Sequence, residues 1–120
     1  MTIAYWIVAS VAALAFVFAG GMKIAGPESA LRDKGVLPER RTMARERAIG
    51  AVEVVGALGL ILPPLTGIAP VLAPIAATGL VIVMVLAVVN HRSHGEPING
   101  TLVPGALALV TAVLGFIVWI

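Results

Sequence analysis

The chain has 120 residues, 60% of them hydrophobic and 12% charged, with a mean hydropathy of +1.08 and a formal net charge of +2. Soluble domains carry about 25% charged residues, so the charge that would cover a water-facing surface is missing. The pI near 9.7 does not signal nucleic acid, since seven of the eight Lys and Arg lie between Lys23 and Arg47, flanking apolar blocks; the absence of cysteine excludes disulfides, thiolate nucleophiles, iron–sulfur clusters and CxxC relays within the chain.

The apolar residues fall into four blocks, each long enough to cross a bilayer at about 20 residues per span. They predict an all-α integral membrane four-helix bundle in a single domain, residues 1–120. The expected spans are 3–22, 46–62, 68–89 and 101–120, with polar loops at 23–45 and 90–100. The first block has Ser10 as its one small polar residue, and no basic residue precedes it. A cleavable signal would have a basic n-region and a shorter apolar core, so a retained first helix is expected. Tyr5 and Trp6 are expected at the headgroup level as an interfacial anchor.

After Lys23 comes the strongly charged region. Residues 26–35 predict a short helix on the membrane surface: Pro27 suits a first helical position, the acid Glu28 precedes the base Arg32, and Gly35 suits the stop. Pro38 is expected to open a second helix that runs without a break to Leu62 and enters the membrane near Ala48, with Arg45, Glu46 and Arg47 in its charged opening turns. Residues 63–67, with Pro63 and Pro64, predict a tight uncharged turn. The third helix is expected from Ile68, with Pro70 and Pro74 in its first turns and a small-residue stripe at Ala69, Ala73 and Ala77. Residues 90–100 form a second polar loop. Thr101 or Asn99 is a candidate N-cap for the last helix, whose end carries Trp119 as another interfacial anchor.

All eight Lys and Arg lie in the first and third connections. The positive-inside bias therefore places both charged loops in the cytoplasm and both termini outside. Glu53 stands six residues inside Arg47, or about 9 Å at 1.5 Å per residue. A carboxyl group at that depth costs roughly 2.5–3.5 kcal/mol on insertion scales and is a functional-site hypothesis by default. Lys23 closes the first helix at the same face, and Asn90 and His91 close the third. Ile49, Gly50, Gly56, Ala57 and Leu60 share the Glu53 face at helical spacing. Two accounts stand open. Glu53 pairs with Lys23 to hold the bundle in register, or it handles a proton or binds the polar head of a lipophilic ligand with Lys23 or His91 as partner. His91 and His94, three apart and without a carboxylate cluster, are a weak metal signature, and no metal site is assigned. No residue is assigned as catalytic. The Arg40, Arg41, Arg45 and Arg47 cluster reads as a topology anchor on anionic lipid.

Gly20-Gly21-Met22-Lys23, the basic loop, Ile49-Gly50-Ala51-Val52-Glu53 with Gly56 and Gly59-Leu60 after it, and the polar helix end Asn90-His91 together resemble the DoxX-like membrane proteins. Ile24 stands where members more often have Leu. The family is similar to the DoxD subunit of thiosulfate:quinone oxidoreductase, and some relatives are associated with oxidative-stress or thiol-related membrane complexes. The resemblance implies a four-helix bundle in a prokaryotic plasma membrane, with other membrane subunits or further copies of itself as partners, and a quinone as a possible cofactor.

Three functions follow as expectations. The first is a small subunit or accessory of a quinone-linked, oxidoreductase-associated system, with Glu53, Lys23, Asn90 and His91 around the ligand. The second is a structural or assembly subunit with no small-molecule site. The third is a proton-coupled small-molecule exporter, of lipophilic cations, which the one-sided loop charge disfavours.

Overall fold

The computed structural model describes residues 1–33 and 42–120. Its helices are α1 (Thr2–Ala25), α2 (Glu28–Asp33), α3 (Met43–Thr66), α4 (Leu72–Ser93) and α5 (Asn99–Val118). All but α2 are long and apolar enough to cross a membrane. At 20 to 24 residues each they extend about 30–36 Å, matching the hydrocarbon core of a bilayer. The chain is a multi-pass membrane protein.

The four long helices form a ring in which chain neighbours are spatial neighbours: α1 packs on α3, α3 on α4, α4 on α5, and α5 back on α1. Each buries one narrow stripe of mostly small side chains. On α1 it is Tyr5, Ala9, Ala12, Phe16 and Gly20; on α3 it is Glu46, Gly50, Glu53, Ala57 and Leu60. Spacings of three and four keep such residues on one face. The opposite faces present large apolar side chains such as Ile7, Leu14, Phe18, Val55, Leu62 and Val85. That inside-out distribution suits lipid, where small residues let helices approach closely and large ones meet acyl chains.

Several local expectations are corrected. Thr42 is extended (φ −91°, ψ 152°) and its side chain accepts a hydrogen bond from the Arg45 amide, so it caps α3 at Met43; the helix does not run unbroken from Pro38. Pro38 itself and the Gly35 stop lie outside the described residues. The Pro63–Pro64 pair does not start the turn. It sits in the last turns of α3, which ends at Gly67 in the left-handed conformation (φ 73°), a position that favours glycine. The turn therefore falls at residues 67–71, and α4 starts at Leu72 rather than Ile68. Ala69 takes a positive φ of 46° in that turn and leaves the small-residue stripe, which Ala73 and Ala77 carry alone. Helix α5 begins at Asn99 with no side-chain cap; the Thr101 hydroxyl donates to the Ile98 carbonyl instead.

Tyr5 departs most from expectation. It is fully buried among the helices rather than on the outer surface, and its hydroxyl donates to the Leu60 carbonyl at 2.6 Å. Pro64 has no N–H to give that carbonyl, so the phenol supplies the missing donor. Tyr5, Trp6 and Trp119 meet edge to face, with ring centroids 5.4–6.1 Å apart. The aromatic residues from both ends of the chain thus tie α1 to α5.

Candidate functional site

The site is built at the opposite end from the aromatic cluster, where α1 and α3 cross. The crossing is made of glycine. A Cβ on Gly20 would lie 2.5 Å from the Gly50 carbonyl oxygen, and one on Gly50 would lie 2.6 Å from that of Gly20. Only two glycines permit this approach. The charged residues follow one turn later on each helix, and because the helices are antiparallel each lies beside the partner's glycine. The same hypothetical Cβ atoms would touch Glu53 Cβ at 3.2 Å and Lys23 Cβ at 2.9 Å. Lys23 Nζ then donates to Glu53 Oε1 at 2.5 Å. The Glu53 side chain is 2% exposed and that of Lys23 18%, so the lysine stem runs along apolar surface while the acid is enclosed.

The end of α4 is equally specified. Glu96 donates its amide to the His91 carbonyl, Gly95 donates to that of Arg92, and Gly95 is left-handed at φ 67°. This is a Schellman stop, which brings the residue after the glycine back onto the last turn of its helix. Here that residue is Glu96, and its Oε1 lies 2.7 Å from His91 Nδ1. With Nδ1 engaged, Nε2 is the ring nitrogen left for another partner. His94 does not join it. Its Nδ1 lies 2.8 Å from the Asn90 carbonyl and its side chain is exposed, so the two histidines do not converge.

Between these ends lies a cavity of about 540 Å³, within the range of small-ligand sites. Its polar lining includes Lys23, Glu46, Glu53, Asn90, His91 and Thr101, drawn from all four long helices. Its apolar walls include Ile49, Val83, Met84, Leu86 and Pro104. Lys23, Glu53, Asn90 and His91 therefore share one cavity, in which Lys23 bonds directly to Glu53 while His91 pairs with Glu96.

Glu46 is the residue sequence reasoning missed. It was read into the charged opening turns of α3, yet it is 1% exposed and lines the cavity. The signal was its spacing: seven residues before Glu53, it lies on the same helix face two turns away, about 10.5 Å along the axis. Arg45 also lines the cavity, although it reads from sequence as a lipid-facing anchor.

Chemically, the arrangement offers ammonium, amide and imidazole hydrogen-bonding groups next to an enclosed ion pair, with an apolar chamber beside them. It can hold the oxygen atoms of a compact polar head while its walls take a hydrocarbon body. Among known proteins, the chain matches the model of the DoxX-like family over residues 7–114. No curated protein and no solved structure matches it.

Proposed function

The chain belongs to the DoxX-like family, matched over residues 7–114, and on that premise we propose that it is a small subunit or accessory of a quinone-linked redox system in a prokaryotic plasma membrane. In this reading the charged end faces the cytoplasm and the cavity takes a quinone head. The observation that carries it is the cavity of about 540 Å³ in which Lys23, Glu53, Asn90 and His91 meet apolar walls.

The residues present fit such a group. Quinone oxygens are hydrogen-bond acceptors, and the Lys23 ammonium, the Asn90 amide and an imidazole N–H of His91 are donors. A bound quinone would supply reversible electron and proton acceptance. The protein's part is to orient the head, exclude water and hold protons nearby. Glu53 keeps the Lys23 ammonium fixed at the cavity wall, and Glu96 fixes the His91 ring. A positioned acid or base within hydrogen-bond reach is what proton transfer requires.

The test is extraction of the protein, purified in mild detergent from its host membrane, followed by mass identification of bound quinone. Stoichiometric quinone that is lost in His91→Ala and Glu53→Gln supports the reading. Protein free of quinone, together with quinone-linked oxidation in host membranes unchanged by Glu53→Gln, rejects it.

A second reading is favoured by the ion pair itself. Lys23 satisfies Glu53 directly across the glycine crossing, which is how a bundle register is fixed in an assembly subunit with no ligand. Stable co-purification with a larger membrane complex, without quinone, would favour that reading.

A further inference from the structure

Not every wall of the cavity belongs to the interior. Leu86 lines it and is nonetheless 63% exposed, among the side chains that meet lipid. Ile49 and Val83, also in the lining, are half-buried. At the far end the same two helices are shut. A Cβ on Gly56 would lie 2.7 Å from Leu80 Cδ2, and one on Gly59 would lie 2.8 Å from Ala76 Cβ. Continuing this antiparallel register toward the charged end sets Glu53 against Val83 and Ile49 against Ala87. All four line the cavity. The helices are closed where glycine faces Leu80 and Ala76, and the cavity lies where larger side chains face each other.

We propose that this gap between α3 and α4 is a lateral portal through which a long-chain amphiphile with an uncharged head enters directly from the bilayer. Its head reaches Lys23, Glu53 and His91, and its tail leaves past Val83 and Leu86. The inference rests on the quinone reading above and adds to it the route, the place of the tail and the charge of the head. Charge is selected by the ion pair. Lys23 and Glu53 already balance each other, so the inner wall has no spare counter-charge for an ionised head, whereas a neutral head with oxygen acceptors needs none. A side entrance also spares a hydrocarbon tail any passage through water.

The test uses the full chain in liposomes with a single nitroxide label on Val83→Cys, since the protein has no other cysteine. Label on Leu14→Cys, at a site 72% exposed, is the lipid-facing control. Collision with oxygen, which concentrates in the bilayer, and with a water-soluble nickel chelate reports which solvent reaches each site. The expected result at Val83 is high oxygen access and low chelate access, as at Leu14. A long-chain quinone should then remove most of the oxygen access at Val83 alone, and a tail-less benzoquinone should not. Chelate access exceeding oxygen access at Val83 overturns the portal whatever the ligand. Loss of oxygen access with the tail-less compound overturns the assigned path of the tail. High oxygen access that long-chain quinone leaves unchanged supports the portal and rejects the quinone reading. If the Val83 variant loses its helical circular dichroism, Ala87→Cys, in the same lining, takes its place.

Discussion

Gly20 and Gly50 meet backbone to backbone, so that a Cβ on either falls 2.5 or 2.6 Å from the other's carbonyl oxygen. The obstacle is main chain and cannot rotate away, so any added side chain must push α1 from α3. Gly20→Ala and Gly50→Ala should each cost about 1–3 kcal/mol through overpacking and lengthen the Lys23–Glu53 contact. Gly21→Ala and Gly79→Ala, where a Cβ meets nothing within 4 Å, should be neutral or stabilising by about 0.5–1 kcal/mol. Thermal unfolding in one detergent checks all four, and equal losses across the set would refute the close-crossing account.

The bond from Tyr5 to Leu60 serves a carbonyl that Pro64 cannot reach, which makes its loss conditional on the proline. Tyr5→Phe should cost about 1–3 kcal/mol, the penalty for a buried acceptor left without its donor. In a Pro64→Ala background the helix regains its own donor to Leu60, and the same change should cost measurably less. Comparing Tyr5→Phe with and without Pro64→Ala in unfolding experiments gives this coupling directly; purely additive losses would mean the hydroxyl does not fill the proline's gap.

The four-helix architecture was legible because the bilayer imposes a length rule on apolar blocks, and Glu53 stood out because it breaks the composition of one. Lys23, Asn90 and His91 followed from their shared depth. What escaped depended on contacts between helices. Tyr5 has the composition of an interfacial anchor, and only the missing N–H of Pro64, two helices along the chain, explains why it is buried. Glu46 looked solvated because it sits among arginines, although its heptad spacing from Glu53 already placed it on the inner face. Pro63 and Pro64 resembled a turn by local propensity. The left-handed position at Gly67 sets the helix end instead.

Gly95 fixes the geometry of the His91–Glu96 pair through its left-handed φ of 67°. Gly95→Ala should destabilise the protein by about 1–2 kcal/mol, the strain of an L-residue in that region, and should release Glu96 from His91. Gly95→Asn, which tolerates the conformation better, should lose less. Unfolding measurements rank the two, and the proton-detected NMR signals of the His91 ring report whether Glu96 still holds it. An alanine variant as stable as the parent, with the ring signals unmoved, would show that the turn does not depend on glycine.

The Lys23–Glu53 pair can separate packing from binding, because its two members are unequally enclosed. Lys23→Met removes the partner of a carboxylate that is 2% exposed, and stripping one member from a buried pair costs about 3–5 kcal/mol. Glu53→Gln should cost less, since the amide oxygen still accepts from Lys23, and the ammonium, already 18% exposed, can extend toward water. The double change Lys23→Met with Glu53→Leu leaves no buried charge, so it should lose much less than the sum of the single changes. The double variant is therefore folded while lacking both polar groups of the inner wall. If the pair receives a quinone head, this variant is stable and carries no quinone on extraction. If it still carries quinone, the pair serves to hold α1 against α3 and the head is held elsewhere in the cavity, with His91 and Asn90 the first residues to change next.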